Sequence, residues 1–123
     1  MDIEIIRDYC LSKDGVTECL PFDNTTLVFK VMGKIFLITS LDEPHSISIK
    51  CNPDKAIELR EEYNEVTPAY HMNKSHWNSI NINGSIPDKL IFQWIDDSYQ
   101  LIVNKLPIKK REELLKLKTT NKF

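Results

Sequence analysis

The sequence predicts an α+β domain built as a two-layer sandwich: an antiparallel sheet of four or five strands with helices packed on one face, in the order α-β-β-β-α-β(-β)-α. Three observations point to it. Residues 26–51 are mostly apolar or alternate with a period of two, broken only at Gly33 and at the DEPH turn, Asp42–His45. Apolar residues at helical spacing precede this block and follow it. The turns within the block are short, so neighbouring strands form a meander.

Each element has its own signal. Asp2 is an N-cap for a first helix that buries Ile3, Ile6 and Cys10, with Gly15 as its stop. TECLPFDN, with Pro21 and the Asp23-Asn24 pair, reads as a loop. Leu27, Phe29 and Val31 alternate with Thr26, Val28 and Lys30; IFLITSL follows the Gly33 turn as a central strand. In the third strand Ile47, Ile49 and Cys51 share one face, and Ser46, Ser48 and Lys50 the other.

Asn52 and Pro53 open a second helix with Ala56, Leu59 and Tyr63 inward. HWNSINI is the next strand and ends at the Asn83-Gly84 turn. Ser85 and Asp88 are spaced as a capping box for a long helix carrying Leu90, Ile91, Trp94, Ile95, Leu101 and Ile102, which Pro107 ends. IKKREELLKL is expected to add a short basic helix.

Composition narrows the function. With 41% hydrophobic and 28% charged residues in 123, the chain is an ordinary one-domain globular sequence. Its acidic N-terminus, MDIEIIRDYC, lacks a signal-peptide core, and Lys30 and Lys34 interrupt the longest apolar region, so a cytoplasmic protein without membrane association is expected. Cys10, Cys19 and Cys51 form no CxxC pair and read as buried thiols. Charge is divided: nine basic against sixteen acidic residues up to Asn104, seven against two from Lys105.

The stretch TPAYHMNKSHWNSI, Thr67–Ile80, concentrates chemistry-bearing side chains, yet no reaction follows from it. His71 and His76, five residues apart, would point about 140° apart on a helix and to opposite faces of a strand, so no metal site is expected. No GxSxG elbow or glycine-rich phosphate loop occurs, and Asp96 and Asp97 are too divergent on a helix to act as a pair. No catalytic residue, metal or cofactor is therefore expected.

Strand parity is more informative. With Ile80 and Ile82 in the core, Trp77, Ser79 and Asn81 face outward, so Trp77 must be either covered by the TPAY loop or used as a contact. Thr26, Lys30, Ser46, Ser48 and Lys50 share that face, with Val28 and one of Phe36 or Leu37 beside them.

The blocks KDGVTE (Lys13–Glu18), LPFD (Leu20–Asp23), TLVFKVMGKIF (Thr26–Phe36), SLDEP (Ser40–Pro44), IKCNPDKAIELRE (Ile49–Glu61), VTPAYHMNKSHWNSI (Val66–Ile80) and DDSYQLIVNKLP (Asp96–Pro107) together resemble the MmcQ/YjbR family. The resemblance covers residues 2–115, in order and nearly without gaps. It implies a small bacterial cytoplasmic protein with the YjbR-like fold, related to secretion-chaperone-like domains, and carries the label of a DNA-binding protein with no enzymatic activity. On this basis residues 1–106 are expected to form one YjbR-like domain. Residues 107–123 are expected to be a basic extension, a short helix and then disordered chain.

Two partners are then in view. DNA would be met by Tyr70, His71, Asn73, Lys74, His76 and Trp77 of the signature stretch, with Lys30, Lys50, Lys109, Lys110 and Arg111 supplying charge. The alternative is a protein partner or a second copy of the chain on the half-apolar open sheet face.

Overall fold

A computed structural model describes residues 1–69 and 72–120, the last three of these as backbone only. Helix α1, Ile3–Leu11, starts where the Asp2 carboxylate accepts the Ile5 N–H at 3.0 Å, and buries Ile6 and Cys10. The chain then turns at Gly15, φ +73°, into a strand that the sequence had not indicated, β1, Val16–Cys19. Its four residues are too few to show a period, and only pairing with the neighbouring strand defines them.

Strands β2 (Thr26–Val31), β3 (Lys34–Ser40) and β4 (Ser46–Lys50) form the expected meander. The β2–β3 turn places Met32 and Gly33 at φ +49° and +87°, the double left-handed geometry of a tight hairpin. Helix α2, Pro53–Glu62, is capped by the Asn52 side chain on the Asp54 N–H at 3.0 Å. Strand β5, Val66–Pro68, and strand β6, Trp77–Asn81, complete a six-stranded antiparallel sheet of order β1-β2-β3-β4-β6-β5. The two-layer architecture is the expected one, with six strands in place of four or five because β1 and β5 are short edge strands.

Helix α3, Asp88–Asn104, crosses β2, β3 and β4 and buries Ile91, Trp94, Ile95, Ser98 and Ile102. A fully buried Ile contributes roughly 1.5–3 kcal/mol over an exposed one, so this stripe is a main anchor of the helical layer. No capping box forms at its start: Pro87 is the N-cap, without a side-chain bond. Ser85 instead donates its N–H and hydroxyl to Glu65, both at 2.7 Å, tying the α3 approach to the chain before β5.

The register shifts between Phe29 and Lys30, where Leu37 and then Ile35 are the β3 partners, so Phe36 is the extra residue of a bulge. Both Phe36 and Leu37 therefore enter the core, Phe36 meeting Tyr99 edge-on at 5.5 Å between ring centroids. The expectation that one of them lies on the exposed face is corrected; Ile38 takes that place beside Val28.

The segment after Pro107 forms helix α4, Ile108–Thr120. Leu114 joins the core, and its Cδ1 lies where a Cβ on Gly15 would come within 2.7 Å. The disordered tail expected beyond this helix falls at residues 121–123, outside the described residues.

Candidate functional site

The helices cover one face of the sheet. Cross-strand pairs place Thr26 with Ser40, Val28 with Ile38, Ser48 with Ser79, Ser46 with Asn81, and Lys50 with Trp77 on the other. A hollow of about 450 Å³ lies on this second face. Its floor carries Ile38, Ser48 and Ser79, and its rims are Phe22, from the β1–β2 loop, and Met72, from the β5–β6 loop. Phe22 is 69% exposed, unusual for an aromatic side chain on a short loop.

The hydroxyls of the hollow are only partly committed. Those of Ser48 and Ser79 lie 3.0 Å apart, so their mutual bond uses one proton of the pair and leaves the other to give. Ser40 Oγ accepts the Asp42 N–H at 3.2 Å, leaving its own proton to give. Among the described residues no charged side chain lines the hollow. Such a surface can bond to amides and hydroxyls and cover an apolar side chain, but it does not select an ion.

The Phe22 rim is shaped by the sequence just after it. Asp23 accepts the N–H groups of Thr25 and Thr26 at 2.9 and 2.6 Å, and these bonds hold its carboxyl below the usual range. The loop turns tightly there and leaves Phe22 on its outer side.

The signature stretch is organised as a turn. The Asn73 carbonyl accepts from the N–H groups of His76 at 3.1 Å and Trp77 at 2.9 Å, while its side chain accepts from the Ser75 N–H at 3.0 Å. Lys74 and Ser75 stand exposed at the tip. His76 is half-buried, and its carbonyl accepts the Cys51 N–H at 2.6 Å. Trp77 is on the outward face, as parity requires, but only 8% exposed: it is covered, and stacking on a base is closed to it in this conformation. Tyr70 and His71 lie outside the described residues.

The basic candidates do not converge. Lys30 and Lys50 are half-buried on the strands of the outward face. The Lys50 ammonium is held below its usual pKa by burial and then by neighbouring Lys105. Lys109, Lys110 and Arg111 are exposed at the start of α4, and Arg111 borders Tyr99 and Val103 of α3, in the helical layer on the other side of the sheet.

Two features escaped the sequence reading. Phe22 and Met72 are rims only because two loops meet the same end of the sheet, which no local pattern announces. A second depression, between α2 and α3, was signalled only by matching helical spacings at 55 and 59 and at 94, 97 and 101.

Among the described residues no group of three or more His, Cys, Asp or Glu could hold a metal, and no helix is long and apolar enough to cross a membrane. Burial pushes the Cys10 thiol up to about 12 and that of Cys51 up to about 11, so neither is a thiolate nucleophile near neutral pH.

The antiparallel sheet with one helical and one open face, and its loop-framed hollow, define a small two-layer α+β domain. The YjbR family model matches residues 11–101, and the chain belongs to that family. It is 34% identical to the uncharacterized protein YjbR of Escherichia coli K12 over 118 residues, covering 95% of this chain and all of that one. It is 38% identical to the uncharacterized protein YbdF of Escherichia coli O157:H7 over 104 residues, 84% of this chain and 85% of the other. A crystal structure of the Deinococcus radiodurans protein DR2400 superposes with a TM-score of 0.85 at 31% identity, over 91% of this chain and 86% of that one. A Pseudomonas syringae protein structure gives 0.71 at 27% identity, over 82% and 98%.

Proposed function

We propose that this YjbR-family chain is a non-enzymatic binding protein that receives an extended segment of a protein partner on the exposed face of its sheet. The observation that carries the reading is the hollow between Phe22 and Met72, whose described lining combines free hydroxyl capacity with apolar rims. Backbone amides of a segment would bond to Ser40, Ser48 and Ser79, and one of its apolar side chains would pack beneath Phe22.

The test places the photo-crosslinking residue p-benzoylphenylalanine at position 22 in cells. A discrete adduct that disappears when Ser48→Arg fills the hollow is expected; adducts unchanged by Ser48→Arg would overturn the reading.

A second reading, DNA binding, is favoured by one observation: Lys30 and Lys50 share the exposed face. Fluorescence anisotropy of a labelled duplex should then show affinity that falls steeply with salt. Combined Lys30→Gln and Lys50→Gln substitutions should abolish it, whereas binding lost instead in a Lys109→Gln, Lys110→Gln, Arg111→Gln variant would locate the contact on α4. No binding at low salt ends the DNA reading.

A further inference from the structure

On the opposite side of the molecule, α2 and α3 leave between them a groove of about 340 Å³. Its floor is apolar: Leu59 and Trp94 are nearly fully buried, Leu101 is half-buried, and buried Cys51 also lines it. Its walls carry opposite charges, Lys55 from α2 and Asp97 from α3. Helical spacing makes this arrangement, since Lys55 and Leu59 are four residues apart on α2, and Trp94, Asp97 and Leu101 follow at three and four on α3.

Both charges are within electrostatic reach of the same thiol: burial raises the Cys51 pKa most, Asp97 raises it further, and Arg60 and then Lys55 lower it. Neither charge is tightly engaged. Lys55 Nζ is 3.9 Å from Glu58 at an exposed position, and Asp97 accepts one neutral bond, from Gln93 at 3.0 Å. An exposed pair at such a distance contributes little and leaves the ammonium available.

We infer that this groove is a binding site for a small zwitterion with an apolar side chain, an apolar α-amino acid. Its carboxylate meets Lys55, its ammonium meets Asp97, and its side chain lies on Leu59, Leu101 and the Trp94 indole. A purely apolar ligand would leave both charges unused, and an ion of one sign would meet the like charge on the facing wall. The groove is lined by none of the residues of the sheet-face hollow, so the two sites stand or fall separately.

Isothermal titration of the intact chain with L-phenylalanine and L-leucine, N-acetyl-phenylalanine and phenylalanine amide tests the assignment. The free amino acids should bind saturably. Each blocked form should bind at least about tenfold more weakly, the loss expected from removing one charge-assisted hydrogen bond. Lys55→Met should weaken phenylalanine without further weakening the amide, and Asp97→Asn should do the same with respect to the N-acetyl form. Both side chains are exposed, so these variants keep the fold. No saturable binding of either amino acid, or equal binding of free and blocked forms, would refute the site.

Discussion

The Ser98 hydroxyl of α3 donates to the Phe36 carbonyl at 2.6 Å, and its oxygen accepts the Lys50 N–H at 2.9 Å. Phe36 is the extra residue of the β3 bulge, and beyond the Leu37–Ile49 pair the ladder between β3 and β4 no longer continues. One buried serine therefore bridges the two strands and fastens α3 to the sheet. Ser98→Ala would leave two backbone groups unsatisfied in the interior and should cost about 2–6 kcal/mol, at 1–3 for each group. Urea denaturation measures this, with the midpoint falling and the slope unchanged.

Gly15 and Gly33 both have positive φ but differ in surroundings. A Cβ on Gly33 would meet nothing within 4 Å, so Gly33→Ala should cost only the backbone term, about 1–2 kcal/mol. A Cβ on Gly15 would also meet Leu114 at 2.7 Å. Gly15→Ala should lower the denaturation midpoint further than Gly33→Ala and raise amide exchange in α4.

Trp77 belongs to the stability of the protein before it belongs to any contact. Because it is 8% exposed, Trp77→Ala should lower stability by roughly 3–5 kcal/mol, as for other large-to-small changes of buried aromatics. Native fluorescence should be blue-shifted and resistant to acrylamide, since Trp94 is buried as well. Ready quenching of Trp77 in a Trp94→Phe variant would show the cover to be open.

Acid should destabilise the fold through identifiable carboxylates. Bonds from the Ser85 hydroxyl and N–H hold Glu65 below its ordinary value of 4.5, and Arg7 does the same for Glu18 through bonds at 2.7 and 2.5 Å. A depressed folded pKa lends stability that is complete above the ordinary value and is lost as pH falls through the lowered one. The stability advantage of the native chain over Glu65→Gln should accordingly be constant at neutral pH and shrink below 4.5, read from urea midpoints across that range.

The three thiols should separate by environment. Cys10 and Cys51 are buried and their pKa values raised, whereas Cys19 on edge strand β1 is partly exposed. Ellman titration of the native protein near pH 8 should detect one thiol quickly and all three in urea. Cys19→Ala should remove the fast one.

Much of the architecture was legible in linear patterns because its determinants are local. Asp2 and Asn52 cap the helices that follow them, and period-two alternation marks β2 and β4. The Ile91, Trp94, Ile95 and Ile102 stripe marks α3. The capping-box spacing at Ser85 misled for the converse reason: Ser85 bonds Glu65, twenty residues earlier, instead of the start of α3.

By itself, then, the sequence determined the layers, the core faces of β2, β4, β6 and of helices α1 to α3, and the outward direction of Trp77, because side-chain period and turn chemistry act over a few residues. Tertiary structure decided whether that outward Trp77 is covered, which way Phe36 turns at the bulge, and that Phe22 and Met72 frame a hollow while Lys55 and Asp97 face across a groove. Each of these depends on segments distant in the chain meeting at one place. Their relative positions are set by packing and register summed over the whole sheet, which no short window of residues contains.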